Sequence, residues 1–423
     1  MLSLISCPNS FYSCSEYSTM VLRDSHLLRP PDLRRKATDS SFDSASLERL
    51  LANHLDRIDI NKQDPAGVSR TGDTRNDQTQ APVLPEDVVS DILAWNSRSD
   101  YAKLACVNKK FKALTSSEYL YKLRRRNGVV EHWIYIACIL MPWEAFDPVG
   151  QRWMQLPAVP CDECFTYADK ESLAVGTELL VFGREFPGLA IWKYSVLVRS
   201  WSRCCPMGLP RCLFASSSIG GIALVAGGID RIGSVLKSAE IYDSETGRWE
   251  SLPDMTTPRK MCSGFFMDGK FYVIGGMASS TTCLTSGEEF DLVTRKWRRI
   301  ENMYPASSPT GHPGVQSPPL VAVVENELYW ADQATNEVKL YNKISNTWVA
   351  VKRLPVRADS SNGWGLAFKG CGKKLIVIGG HKACEVIVLH SWDPRGGHGV
   401  QWNVIAVKEQ AGSFVSNCAV MGC

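Results

Sequence analysis

No stretch of this chain stays apolar for long enough to span a bilayer: the longest run, the nine residues from Trp133 to Met141, is about half of a membrane helix. A strong field of one sign is missing too. The 47 basic and 44 acidic side chains leave a formal charge of +3, too weak to hold nucleic acid or an anionic membrane surface. The 15 cysteines form no even framework and include the adjacent pair Cys204 and Cys205, so they read as reduced thiols of a nuclear or cytoplasmic protein. Residues 1–10 have neither a basic start nor an adequate apolar core, which argues against a signal peptide, and Val420 stands where a prenylated cysteine would have to be. Tryptophan is absent before Trp95 although the chain has 13. A folded core is therefore expected beyond that point.

Catalytic signatures are missing as well. There is no Gly-Lys-Ser/Thr phosphate loop, no His-Glu-x-x-His and no Gly-x-Ser-x-Gly elbow. Cys161 and Cys164 have the spacing of half a zinc site, but no second pair follows, so neither metal nor other cofactor is expected.

What is present divides into three parts. Residues 1–80 are rich in Ser, Asp, Arg and Asn and read as a disordered leader. Within it Leu47, Leu50, Leu51, Leu55 and Ile58 have helical spacing, and Arg34, Arg35 and Lys36 form a small basic cluster of the kind used in nuclear import. Residues 81–127 read as helices. Leu84, Val88, Ile92 and Trp95 make one stripe, with Pro85 at a first-turn position and Glu86 and Asp87 suited to a helix N-terminus. A second stripe runs through Leu104, Val107, Phe111 and Leu114, and a third segment carries Tyr119, Leu120 and Leu123. So small a unit needs a neighbour or a partner to be stable.

Residues 128–423 turn to short β-type runs with a long period. Trp153, Trp201, Trp249, Trp297, Trp348 and Trp402 are separated by 48, 48, 48, 51 and 54 residues. Asp147, Ser195, Asp243, Asp291 and Asn342 stand six residues before the first five, and Asp393 precedes Trp402 by nine. Such a period with four strands per unit predicts a β-propeller, here mainly β and six-bladed. Strand pairs end in Gly227-Gly228, Gly275-Gly276 and Gly379-Gly380, where a Cβ would obstruct the chain. The first unit has no strand A, while residues 414–421 form a spare apolar run after the last Trp. That C-terminal strand is expected to complete blade one and close the ring.

Both folded parts resemble known families. Leu84-Pro85-Glu86-Asp87-Val88-Val89, then Ile92-Leu93, then Val107-Asn108-Lys109-Lys110-Phe111, resembles an F-box. The repeated double glycine, Tyr/Phe-Asp and Trp resembles kelch repeats, fully so for Gly227, Gly228, Asp243 and Trp249 and for Gly275, Gly276, Asp291 and Trp297. Gly379, Gly380 and Trp402 keep part of the pattern, and the order of parts is similar to that of plant F-box/kelch-repeat proteins. The resemblance implies a non-catalytic substrate receptor of an SCF-type ubiquitin ligase. Leu84, Pro85, Val88, Ile92, Leu93, Val107 and Phe111 would bind a Skp-type adaptor, and through it a cullin-RING ligase, while the propeller would hold the target protein. A kelch-propeller metalloenzyme and a plain interaction scaffold are the alternatives.

Strand parity locates the target face. Loops from D to the next A and from B to C emerge on one side, A-to-B and C-to-D loops on the other. The first side carries Arg211, Arg259, Lys260, His312 and Arg357 on D-to-A loops and Arg184, Arg231, His381 and Lys382 on B-to-C loops. This basic rim is expected to suit an acidic or phosphorylated segment, although loop Arg and Lys are often merely solvated.

Overall fold

The computed structural model describes residues 85–138, 142–186, 188–279, 282–305, 317–358, 360, 363–381, 385–396 and 401–423. The expected leader, its helix and basic cluster, Leu84, His312 and Lys382 lie outside these residues. From Glu86 onward the described residues fall in one compact unit.

The helical part begins with α1 (Glu86–Trp95), which opens with Glu86 and Asp87 in its first turn. The second expected helix is broken in two, α2 (Tyr101–Leu104) and α3 (Lys109–Thr115). The break follows from Asn108, which takes an extended conformation and accepts a hydrogen bond from the Phe111 backbone N–H, making it an N-cap inside the apolar stripe. Ser117 caps α4 (Glu118–Arg126) in the same way, accepting from Leu120 N. Leu93, Ala94, Tyr101, Leu120 and Tyr121 are buried among these helices.

Six four-stranded antiparallel sheets follow, closed into a ring through neighbouring innermost strands. The C-terminal strand Val415–Gly422 pairs with His132–Cys138 and supplies strand A of blade one, as the spare apolar run predicts. No open sheet edge remains at the seam.

The repeat signature has a separate physical task for each residue. In every blade the aromatic or Trp before the turn lies against the strand-D Trp: Phe146 with Trp153, Tyr194 with Trp201, Tyr242 with Trp249, Phe290 with Trp297, Tyr341 with Trp348 and Trp392 with Trp402, all at 4.8 to 5.7 Å between ring centres. The next residue shapes the C-to-D turn. Asp147, Asp243, Asp291, Asn342 and Asp393 accept from the backbone N–H two residues on, and the Ser195 hydroxyl does likewise. The Trp indole then joins one blade to the one before: Trp201 donates to Pro157 O, Trp249 to Cys205 O, Trp297 to Pro253 O, Trp348 to Met303 O and Trp402 to Arg353 O. Trp153, at the ring's seam, instead has Lys408 Nζ 5.2 Å from its ring centre.

Gly227 and Gly228 both have positive φ, 71° and 92°, and a Cβ on Gly228 would stand 2.5 Å from Cys212 O. The pair in blade six works differently. Gly379 and Gly380 lie inside the strand Lys374–His381 rather than at its end, and a Cβ on Gly380 would strike the Ser413 backbone.

Candidate functional site

The helical unit docks on the face that carries the A-to-B and C-to-D turns. Arg98, nearly fully buried, is the centre of this contact. Its guanidinium stacks 4.6 Å from the Trp133 ring centre and donates to Glu131 O (3.2 Å), Cys423 O (3.5 Å) and Tyr135 Oη (3.3 Å). The Arg98 backbone N–H donates to Glu131 Oε2 at 2.9 Å. Arg124, fully buried in α4, donates to Ala94 O, Asn96 O and Tyr101 Oη and lies 3.5 Å from Glu131 Oε1. The Arg98 backbone N–H and the Arg124 guanidinium thus converge on one carboxylate at the start of blade one. At the edge of the contact Arg152 reaches Asp100 and Ser99, and Lys122 reaches Glu245 in the C-to-D turn of blade three at 3.1 Å.

The expected adaptor surface splits on burial. Ile92 and Leu93 are buried, at 7% and 1% exposed, so they form the core of the helical unit and are not available to a partner. Their helix packs on α4, and the Tyr101 hydroxyl donates to Leu93 O. Val107 is 47% exposed, Val88 and Phe111 are half-buried, and Pro85 is exposed. Trp95 and Tyr119, exposed large aromatics of the same helices, were not part of the sequence expectation. Trp95 sits on the α1 stripe, where helical periodicity alone reads as core.

The basic rim is corrected in a similar way. Arg211 and Arg259 are buried and do not face solvent. Arg259 donates to Gly275 O, Ser286 O and Glu288 Oε1 (2.9 Å), and Glu288 in turn accepts from Thr256 N and Thr257 N. Arg211 repeats the arrangement one blade earlier with Gly227 O, Ser238 O and Glu240, which accepts from Gly208 N and Leu209 N. These side chains hold the D-to-A loop to the glycine pair. Lys260 is half-buried, and Arg357, Arg184 and Arg231 are exposed; Arg184 and His381 lie in the strands Glu178–Glu185 and Lys374–His381 rather than in loops, because strand B continues through these residues. Cys161 and Cys164 flank Asp162, which caps the short helix Glu163–Tyr167; its Phe165 fills the space a Cβ on Gly183 would need.

Two regions of the chain match family models: residues 82–123 match the F-box domain, and residues 210–256 and 258–304 each match the Kelch motif. Two Arabidopsis thaliana proteins are similar along most of their length. F-box/kelch-repeat protein At1g74510 is 42% identical over 97% of this chain and 97% of its own. F-box/kelch-repeat protein SKIP11 is 50% identical over 83% of this chain and 77% of its own. This chain belongs to the F-box/kelch-repeat family. A third relative, F-box/kelch-repeat protein At1g26930 from the same plant, is 49% identical over 83% of this chain and 85% of its own.

As an F-box/kelch-repeat protein the chain has the build of a substrate adaptor. Burial pushes the Cys138, Cys212, Cys262 and Cys418 thiols up to about 12, far from a thiolate at neutral pH. Among the described residues every cysteine is a free thiol, and no group of three or more His, Cys, Asp or Glu could hold a metal ion. No described helix is long and apolar enough to cross a membrane.

One carboxyl group is unusual. Glu171, at the entry of strand A in blade two, accepts from Leu213 N, while its Oε2 is enclosed without a hydrogen-bond partner. Burial raises its pKa from 4.5 to about 8, against the lowering effect of backbone N–H groups of Leu213 and Phe214. The folded protein therefore binds a proton that the unfolded chain releases above pH 4.5, so stability falls as pH rises through this window and levels off above about 8. Glu171→Gln removes that slope. Thermal melting of both proteins between pH 6 and 9 should show the variant gaining on the wild type with rising pH; a constant difference would contradict the assignment.

Proposed function

We propose that the chain is the substrate-recognition subunit of an SCF-type ubiquitin ligase, acting in the nucleus or cytoplasm. The helical unit binds a Skp-type adaptor, and the face with the D-to-A and B-to-C loops binds the target protein. The observation that carries this reading is the polarity of the molecule: Arg98, Arg124 and Arg152 attach the helical unit to the A-to-B and C-to-D face, and among the described residues the loops of the opposite face are left uncovered by it. An adaptor held by Val88, Val107 and Phe111, with Leu84 and Pro85 just ahead of α1, would then leave the rim accessible. No residue of this chain performs chemistry in such a complex; the rate gain comes from holding target and ubiquitin-charged enzyme together.

Purified chain and Skp-type adaptor test this directly. The wild type should retain the adaptor through gel filtration, and Leu84→Ala/Pro85→Ala and Val107→Asp should each weaken it by at least about tenfold, the scale of an interface hot spot. Absence of a complex with the wild type would reject the reading.

A further inference from the structure

Resting on the receptor reading, we propose that the B-to-C loops of blades two and three form a single anchoring site for an acidic target segment that carries an adjacent apolar side chain. Two apolar residues stand out on this face: Phe186 is 86% exposed and Ile232 is 83% exposed. Each is at the tip of a loop held by a carboxylate of its own. Asp162 accepts from Phe186 N at 2.9 Å, and Asp230 accepts from Ile232 N at 3.0 Å and from Ser234 N at 2.8 Å. These acidic groups are thereby engaged by backbone, which lowers Asp162 further from the usual carboxylate range.

Arg231 joins the two loops. Its guanidinium lies directly over Gly188, the first residue of strand C in blade two, so closely that a Cβ there would collide with Nη2. The glycine thus lets an exposed cation from blade three rest across blade two, at a residue two positions from Phe186, while Ile232 is its own chain neighbour. Arg184, an exposed residue near the end of the preceding strand, adds a second positive charge. The site combines a cation laid on Gly188 with the two exposed apolar side chains Phe186 and Ile232, whose backbone N–H groups are fixed by Asp162 and Asp230, and a carboxylate next to a Leu, Ile or Phe complements it in charge and in apolar area. Buried Arg211 and Arg259 contribute no such contact, because they are enclosed and paired with Glu240 and Glu288.

The test is selection of a displayed library of random peptides on the full chain, followed by affinity measurement of enriched peptides. Enrichment of Asp or Glu next to an apolar residue is expected, with binding reduced at least about tenfold by Arg231→Ala and by Phe186→Ala/Ile232→Ala. Arg231→Glu should also lose these peptides and gain basic ones. Circular dichroism and melting of each exposed-site variant should match the wild type. The proposal is overturned if no peptide is enriched, if the enriched peptides lack acidic residues, or if their binding is indifferent to Arg231. Adaptor binding, measured on the same variants, is expected to be unchanged; loss of adaptor by the wild type would sink the receptor reading while leaving the peptide result to decide the site.

Discussion

Arg259→Ala is expected to destabilise the propeller by about 3–5 kcal/mol, because it leaves the Glu288 carboxylate buried without its cation. Both side chains are 0% exposed in a 2.9 Å pair. The pair is also wired into the backbone, through Gly275 O and Ser286 O on one side and Thr256 N and Thr257 N on the other. A loss of that size is a large share of ordinary domain stability and corresponds to a fall of roughly 10 °C or more in melting temperature. The double replacement Arg259→Met/Glu288→Leu removes the uncompensated charge, yet it strands four backbone groups and should still cost at least about 2 kcal/mol. Chemical denaturation of the three proteins decides the matter. Full recovery in the double variant would show that the backbone links contribute nothing.

The second large effect concerns Arg124. Alanine at this position removes the donor to Ala94 O, Asn96 O and Tyr101 Oη and the cation facing Glu131. Breaking a buried pair costs about 3–5 kcal/mol, more than three or four short helices are able to supply alone. The helical unit should therefore unfold below the melting point of the propeller, giving two transitions where the wild type gives one. Trypsin would then cut rapidly at Arg125 and Arg126 and spare the β-domain. A single transition with unchanged cleavage would mean that Arg124 does not couple the two parts.

The ring itself is legible from tryptophan spacing, since each period contains one aromatic pair and one turn-forming polar residue, and five of the six an indole donor to the blade before, all side chains whose type is written in the sequence. Closure by residues 415–422 was legible for the same reason: a missing strand at one end and a surplus one at the other leave one economical pairing. The basic rim was read less well. Arg211 and Arg259 look like loop cations because sequence shows their position but not their partners Glu240 and Glu288, which lie 29 residues downstream in each repeat. Ile92 and Leu93 failed as surface residues for the opposite reason. A helical stripe shows which residues share a face but not how much of it is covered: Ile92 is buried while Trp95, on the same stripe, is exposed. Phe186 and Ile232 carry no pattern at all; only exposure of the loop tips distinguishes them.

In the proposed receptor, one end of the molecule holds an adaptor while the opposite face stays open for a target. Hydrogen–deuterium exchange of the full chain with and without Skp-type adaptor tests it most directly. Protection should be confined to the helical unit, from the start of α1 through α3, with no change in the loops around Arg184, Arg231 and Arg357. Protection of those loops by the adaptor, or none anywhere, would contradict it.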